Sequence, residues 1–279
     1  MSGAARPIVF LSDFGIANEW VGICHVVMAR IAPASRVIDL SHLVRPLDVA
    51  SAALLLADSL RFTPEDTVVV AVVDPNVGED REVVVGVESG RMLVGPDNGL
   101  LSLAWAADGG VRSAAEIASE DVIVHPIAQS FRARDTLCPA AAHLAAGMPL
   151  DRVGPSIDPR SLMTLTIAEP ETERGKIRCH VIDFNRFGNV QLNVREEHLA
   201  AAGLDAERVL SVEGIAASAV ARRGETYADF ASGDYGVIFD PRGWLTVVRG
   251  NPASAVEGLQ VAIGDHVWIS AARDAGEAA

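Results

Sequence analysis

Apolar positions along the chain follow two different rhythms. In the first half, short β-branched runs alternate with Ala- and Leu-rich stretches, the pattern of an α/β domain with a mostly parallel sheet. Ile8-Val-Phe-Leu11 predicts a first strand that ends at Ser12-Asp13-Phe14-Gly15, and a helix from about Glu19 to Ile31 follows until Pro33 stops it. Val37 to Leu40 predicts a second strand, Val49 to Leu60 a helix, and Thr67 to Val73 a continuous apolar strand of the kind buried on both faces. Val83 to Val87 and Arg91 to Val94, joined through Glu88-Ser-Gly90, read as a hairpin, and Pro139 to Ala146 as a short helix.

Around Thr164 to Lys176 the periodicity disappears into a Pro-, Glu-, Thr- and Gly-rich stretch. We read residues 166–176 as a linker between an N-terminal α/β domain, 1–165, and a C-terminal domain, 177–279. Beyond it come short strands punctuated by Gly, Asp and Asn: Ile177 to Ile182, Val190 to Val194, Gly236 to Phe239, Trp244 to Val248 and His266 to Ser270. That spacing predicts an antiparallel β-barrel.

Composition narrows the function classes. The 279 residues are 49% apolar and 22% charged, ordinary globular values, and the formal charge of −14 is the opposite of the basic field that a phosphate-backbone binder needs. Nucleic acid is therefore not an expected partner. Cys24, Cys138 and Cys179 are far apart and form no CxxC, so they build neither a disulfide framework nor a zinc knuckle and are expected to be reduced, buried thiols. The apolar stretch before Asp13 is too short for a signal sequence, and no window reaches the roughly 20 apolar residues of a membrane span. The expected location is cytoplasmic, with no membrane partner.

Four aspartates, Asp13, Asp39, Asp74 and Asp97, sit at or just after the ends of predicted strands, where open α/β sheets place their ligands. Any one of them alone is equally readable as the cap of the next turn or helix. No GxGxxG, P-loop, GxSxG or HExxH occurs. His42 and His143 fall in or beside apolar stretches and read as core or helix-packing histidines rather than ligands.

In order along the chain stand Ser12-Asp-Phe-Gly15, Val37-Ile-Asp-Leu-Ser-His42 with Pro46-Leu-Asp-Val49, Val72-Val-Asp-Pro-Asn-Val-Gly78, Val94-Gly-Pro-Asp-Asn-Gly-Leu-Leu101, Arg134-Asp135 before Ala140-Ala-Ala-His143, and Arg186-Phe-Gly-Asn189. This series, from about residue 8 to 270, resembles the S-adenosylmethionine (SAM) hydroxide adenosyltransferase family, related to SAM-dependent chlorinases and fluorinases. The resemblance implies an α/β domain and a β-barrel assembled as a homotrimer, with sites where one subunit's N-terminal domain meets its neighbour's C-terminal domain. It implies water or hydroxide attack at C5′ of SAM, giving adenosine and methionine, with no metal or redox cofactor.

Residue by residue, the resemblance makes Asp13 the holder of the ribose diol and Asp74 with Arg81 the first two members of an Asp-Arg-His group that orients the water. Relatives that use halide carry Tyr at the Asp74 position, and a carboxylate there repels halide. Asn189 corresponds to a reader of the adenine edge, Tyr227 to a stacking aromatic, Arg242 to a clamp on the methionine carboxylate, and Arg249 and Asn251 to backbone against adenine. Phe131 and Ala133 flank the third member of the catalytic group and are expected at the substrate. Here the family stretch Phe-His-Gly-Arg-Asp is Phe131-Arg-Ala-Arg-Asp135, so Arg132 replaces the histidine and Ala133 the glycine. Arg132 cannot shuttle a proton near neutral pH; it stabilises hydroxide beside Asp74 or pairs with that Asp. Asn18 and Asn185 replace carboxylates that elsewhere receive the methionine ammonium, and Asp183 is the nearest candidate to compensate. The alternatives left open are a halogenase of the same fold and a non-catalytic nucleoside-binding protein.

Overall fold

The computed structural model describes residues 5–272; residues 1–4 and 273–279, the outer ends of the two predicted domains, lie outside it. The chain separates into two compact units, Met1–Thr166 and Ile167–Ala279. Among the described residues, no helix is long and apolar enough to cross a membrane.

The first unit is built on β1 (Ile8–Ser12), α1 (Trp20–Ile31), β2 (Val37–Ser41), α2 (Val49–Leu60), β3 (Val68–Val72), β4 (Glu82–Val87), β5 (Met92–Pro96), α3 (Ser102–Ala107), β6 (Val111–Glu116) and α4 (Cys138–Ala145). Its sheet runs β2-β1-β3-β5-β4-β6, parallel as far as β5 and antiparallel at the β4 pairings. Strand β1 is apolar at every position up to Ser12 because both faces are covered. Ile8 and Phe10 pack with Cys24 and Met28 of α1 and Ala140 to Ala142 of α4, while Val9 and Leu11 face Ala52 and Leu56 of α2. Truncating a side chain such as the fully buried Leu56 to Ala should cost about 2–5 kcal/mol. Helix α3 and strand β6 were not legible in the sequence: α3 is only six residues long, too short to show a helical period.

The second unit contains β7 (Glu171–Glu173), β8 (Lys176–Phe184), β9 (Val190–Leu192), α5 (Glu196–Ala201), β10 (Val209–Glu213), β11 (Ser218–Arg223), β12 (Tyr235–Phe239), β13 (Leu245–Arg249), α6 (Ala255–Leu259) and β14 (His266–Ala271). The sheet order β14-β10-β11-β12-β13-β9-β8-β7 closes into a barrel through a β14–β8 pairing. Alternate residues fill the interior, among them Ile177, Cys179 and Val181 of β8, and Val267 and Ile269 of β14.

Two details differ from the sequence reading. The stretch expected as a linker carries β7, which pairs with β8 as soon as Arg174-Gly175 allows the chain to reverse, Gly175 having φ +78°. The barrel is also not wholly antiparallel: β11 and β12 pair in parallel, Arg222 opposite Gly236 and Arg223 opposite Val237. A parallel pair needs a long crossover instead of a tight hairpin. Residues 224–234 provide it, and this excursion carries Tyr227.

Candidate active site

In the first unit, the polar residues cluster where the parallel strands end at their carboxyl edge. Ser12 lies opposite Val72 in the β1–β3 register, so Asp13 and Asp74 leave adjacent strands one and two residues later. Asp13 Oδ2 accepts the backbone N–H of Leu47 at 2.8 Å. Leu47 has a left-handed φ of 65°, a strained conformation for a γ-branched residue, and the Asp13 contact helps to hold it. Beside Asp13, Phe14, Trp20 and Phe131 form an aromatic triangle with centroids 6.0, 6.1 and 6.4 Å apart, and Trp20 is 43% exposed. Asn18 is exposed in the bend before α1.

Asp74 is half-buried. Its Oδ1 accepts the N–H of Asn76 at 2.8 Å, which shapes the turn after β3. Burial is the largest influence on its carboxyl and pushes the pKa up; the Asn76 hydrogen bond opposes this, and the nearby Asp80 and Glu82 reinforce it, leaving a value of about 6. Asp80 carried no role in the sequence reading, although its place six residues after Asp74 on the same turn was visible.

The two arginines of the expected catalytic group have other carboxylate partners. Arg81 Nη2 and Nε donate to Asp97 Oδ2, and Nη2 also reaches the Ser161 carbonyl. Asp97 is buried and also accepts the N–H of Met163 at 2.8 Å, so this strand-end aspartate locks the 161–163 segment. Arg132 makes a two-pronged pair with Glu82, Nε to Oε1 at 2.9 Å and Nη2 to Oε2 at 2.5 Å, so the expectation that Arg132 pairs with Asp74 is corrected. The reason is position: Glu82 opens β4, is buried, and presents both oxygens to the planar fork. Burial pushes the Glu82 carboxyl up even so, with Arg132 and Thr136 pulling it back.

Arg132 also precedes a wide π-type turn, Ala133–Leu137, that runs into α4. Asp135 there is buried and binds Arg134 and the N–H of Ala128, which closes the loop carrying Phe131. Ala133 is itself buried.

In the second unit, one cavity of about 260 Å³ is lined by Asn185, Phe187, Asn189, Tyr227, Phe230, Val248, Arg249, Gly250 and Asn251. Its floor follows from strand alternation: Val237 and Val247 point into the barrel, so Ile238 and Val248 point out, and Phe230 covers them. A Cβ at Gly236 would overlap the Phe230 ring, so the close approach requires glycine. Asn185 Oδ1 accepts the N–H groups of Phe187 and Asn189 and organises the 185–189 turn. Asp183 similarly accepts the N–H of Phe184. Asp229 accepts from Glu225 and Thr226 and fixes the 3₁₀ turn that presents Tyr227, which is 49% exposed.

Five sequence-derived residues, Asn185, Asn189, Tyr227, Arg249 and Asn251, thus share a single cavity. Arg242 does not line it. Its guanidinium donates to Gln191 at 2.9 Å and lies 3.6 Å from Asp240, in the β12–β13 turn. Phe187, quoted in the sequence only as part of Arg186-Phe-Gly-Asn189, lines the cavity, and so does Phe230, which no sequence signal singled out.

Family models described as the SAM hydroxide adenosyltransferase N-terminal and C-terminal domains match residues 8–154 and 179–268. The chain is 39% identical over 267 residues to an (R)-S-adenosyl-L-methionine hydrolase of Salinispora tropica, covering 95% of this chain and 97% of that protein. It is 27% identical over 278 residues to a fluorinase of an Actinoplanes species, covering 89% and 93%. The crystal structure of an uncharacterized conserved protein from Thermotoga maritima superposes with a TM-score of 0.85 at 32% identity, covering 94% of this chain and 99% of that one.

Proposed function

Because the chain belongs to the SAM hydroxide adenosyltransferase family, matched over both of its domains, we propose that it hydrolyses SAM to adenosine and L-methionine. The water oxygen bonds to C5′ as the C5′–sulfur bond breaks; the electron pair goes to sulfur, which leaves as a neutral thioether, and one water proton is released. A sulfonium is already a good leaving group, so the protein has chiefly to orient and desolvate the nucleophile, and no cofactor is needed. The observation that carries the reading is Asp74, a half-buried carboxyl poised at about 6. Ionised at neutral pH, it accepts a hydrogen bond from water and takes up the developing proton.

Asp74, Asp80 and Glu82 together make this an unfavourable place for a halide, which supports water over the chemistry of the more distant fluorinase. Arg132, with its charge matched by Glu82, holds the wall behind Asp74 rather than shuttling a proton. Arg81 is likewise charge-matched, anchored on Asp97 and on the Ser161 carbonyl. Asp13 accepts from the ribose hydroxyls, with Phe131, Ala133 and Asn18 around the sugar and tail.

The cavity of about 260 Å³ lies a little below the ~300 Å³ at which drug-sized ligand sites begin, a size for the base alone. Adenine stacks there on Tyr227 and Phe187, with its edge read by Asn189 and by backbone at Arg249 to Asn251. Arg242 is the carboxylate clamp, and Asn185 supports the turn. Since the sugar and nucleophile groups lie in one unit and the base groups in the other, we adopt the homotrimer with sites shared between subunits. The three buried, unpaired thiols fit a reducing, cytoplasmic location.

The deciding experiment is incubation with each sulfonium epimer of SAM, with chromatographic detection of adenosine and methionine. The (R) epimer, named for the Salinispora relative, should be consumed with equimolar products. Stabilisation by adenosine without any product would replace hydrolysis by nucleoside binding, and the absence of both product and stabilisation would overturn the reading.

A further inference from the structure

A second polar cluster sits on the first unit, separate from Asp74 and its neighbours. His25 on α1, Asp39 in β2 and His42 just beyond β2 bring one donor atom each to within 4.8 Å of one another. His25 Nε2 lies 2.7 Å from Asp39 Oδ1, and His42 Nε2 lies 3.0 Å from the same oxygen. The imidazole of His42 is buried, packed edge-on against Phe10, and its Nδ1 is 2.7 Å from the hydroxyl of the fully buried Ser12.

The odd feature is His42 Nε2. It is shielded from solvent and close to a carboxylate oxygen, yet it makes no hydrogen bond there. With the Nδ1–H donated to Ser12, Nε2 presents its lone pair on the Asp39 side, and a cation bound beside that pair satisfies both acceptors. Asp39 Oδ1 stands 2.7 and 3.0 Å from the two imidazole nitrogens and all three donors lie within 4.8 Å, so small side-chain shifts gather them about one metal with bonds of roughly 2.0–2.2 Å. Two imidazoles and one carboxylate suit a borderline divalent ion of the zinc and cobalt class rather than the oxygen-preferring calcium or magnesium. The His25 and Asp39 side chains are 34% and 44% exposed, so water can reach the remaining coordination positions.

We propose that His25, Asp39 and His42 form a binding site for one zinc-class divalent ion, with Ser12 orienting His42. The ion ties α1 to β2 and, through Ser12, to the end of β1 one residue before Asp13. Its role is structural, and the proposal does not rest on the hydrolase reading.

The full-length protein, stripped with a chelator and dialysed, is titrated with Zn²⁺ by calorimetry and with Co²⁺ by visible absorption. The expected result is one ion per chain, a cobalt d–d band, and a zinc-dependent rise in melting temperature. His25→Ala and Asp39→Asn should each weaken binding by at least about tenfold and lose the thermal shift. His25→Gln, which retains a hydrogen bond to Asp39, should do the same if the ring nitrogen is a ligand. His180→Ala, in the separate stacked pair with His266, should bind as wild type. Absence of one-to-one binding, or binding unchanged in the His25 and Asp39 variants, would overturn the proposal. So would a comparable loss in His180→Ala.

Discussion

Lowering the pH from 7 to 5 should switch off Asp74, and removing the charge of the nearby Asp80 should move the midpoint. With a pKa of about 6, Asp74 is about nine-tenths ionised at pH 7 and about one-tenth at pH 5. The rate of adenosine formation at saturating SAM should therefore fall roughly ninefold between these two values and be level above pH 7. Asp80→Asn removes the larger of the two neighbouring negative charges while leaving burial, the main cause, in place. The acid limb should then move to lower pH without reaching the ordinary 3.8, and the variant should outpace wild type at pH 5. Initial rates by chromatography from pH 4.5 to 8 on wild type, Asp80→Asn and Asp74→Asn check this. A limb that Asp80→Asn leaves unmoved, or that survives in Asp74→Asn, refutes the assignment. Stability gives an independent reading. Asp74 binds its proton more tightly folded than unfolded, so the native state loses stability as pH rises from about 4 to about 6. Asp74→Asn should consequently melt higher than wild type at pH 7.5 and show no such advantage at pH 4.

Arg132→Ala strands a buried Glu82 carboxylate and should cost about 3 kcal/mol, read as a lower denaturant midpoint, whereas Arg132→Met with Glu82→Leu should recover most of it. Tyr227→Ala should weaken adenosine binding by about 1–3 kcal/mol in calorimetry, the scale of base–aromatic stacking, and unchanged affinity would move adenine out of the cavity. Asp13→Asn should weaken adenosine by a similar ~1–3 kcal/mol while keeping an acceptor for the Leu47 N–H, which separates loss of ribose contacts from loop collapse. Light scattering of the dilute protein should give three chains per particle; a fully active monomer would end the shared-site model.

Much of this protein is local. The β-branched runs, the apolar–polar alternation and the position of Asp13, Asp74 and Asp97 after strands depend on periods of two or 3.6 residues, and such periods are written directly into the sequence. Five of the residues that line the second unit's cavity were reached through the family resemblance rather than through any period. What the sequence did not disclose involves partners remote in number. Arg132 finds Glu82 fifty positions away, Arg81 finds Asp97, and His25 meets Asp39 and His42 only once α1 lies against β2. An arginine's partner is set by which carboxylate the fold buries within its reach, because burial makes an unpaired charge costly there. For the same reason the pKa of Asp74 belongs to the tertiary structure: the aspartate was visible in the sequence, but its desolvation, the main cause of the shift, arises only when β3 and its neighbours exclude water.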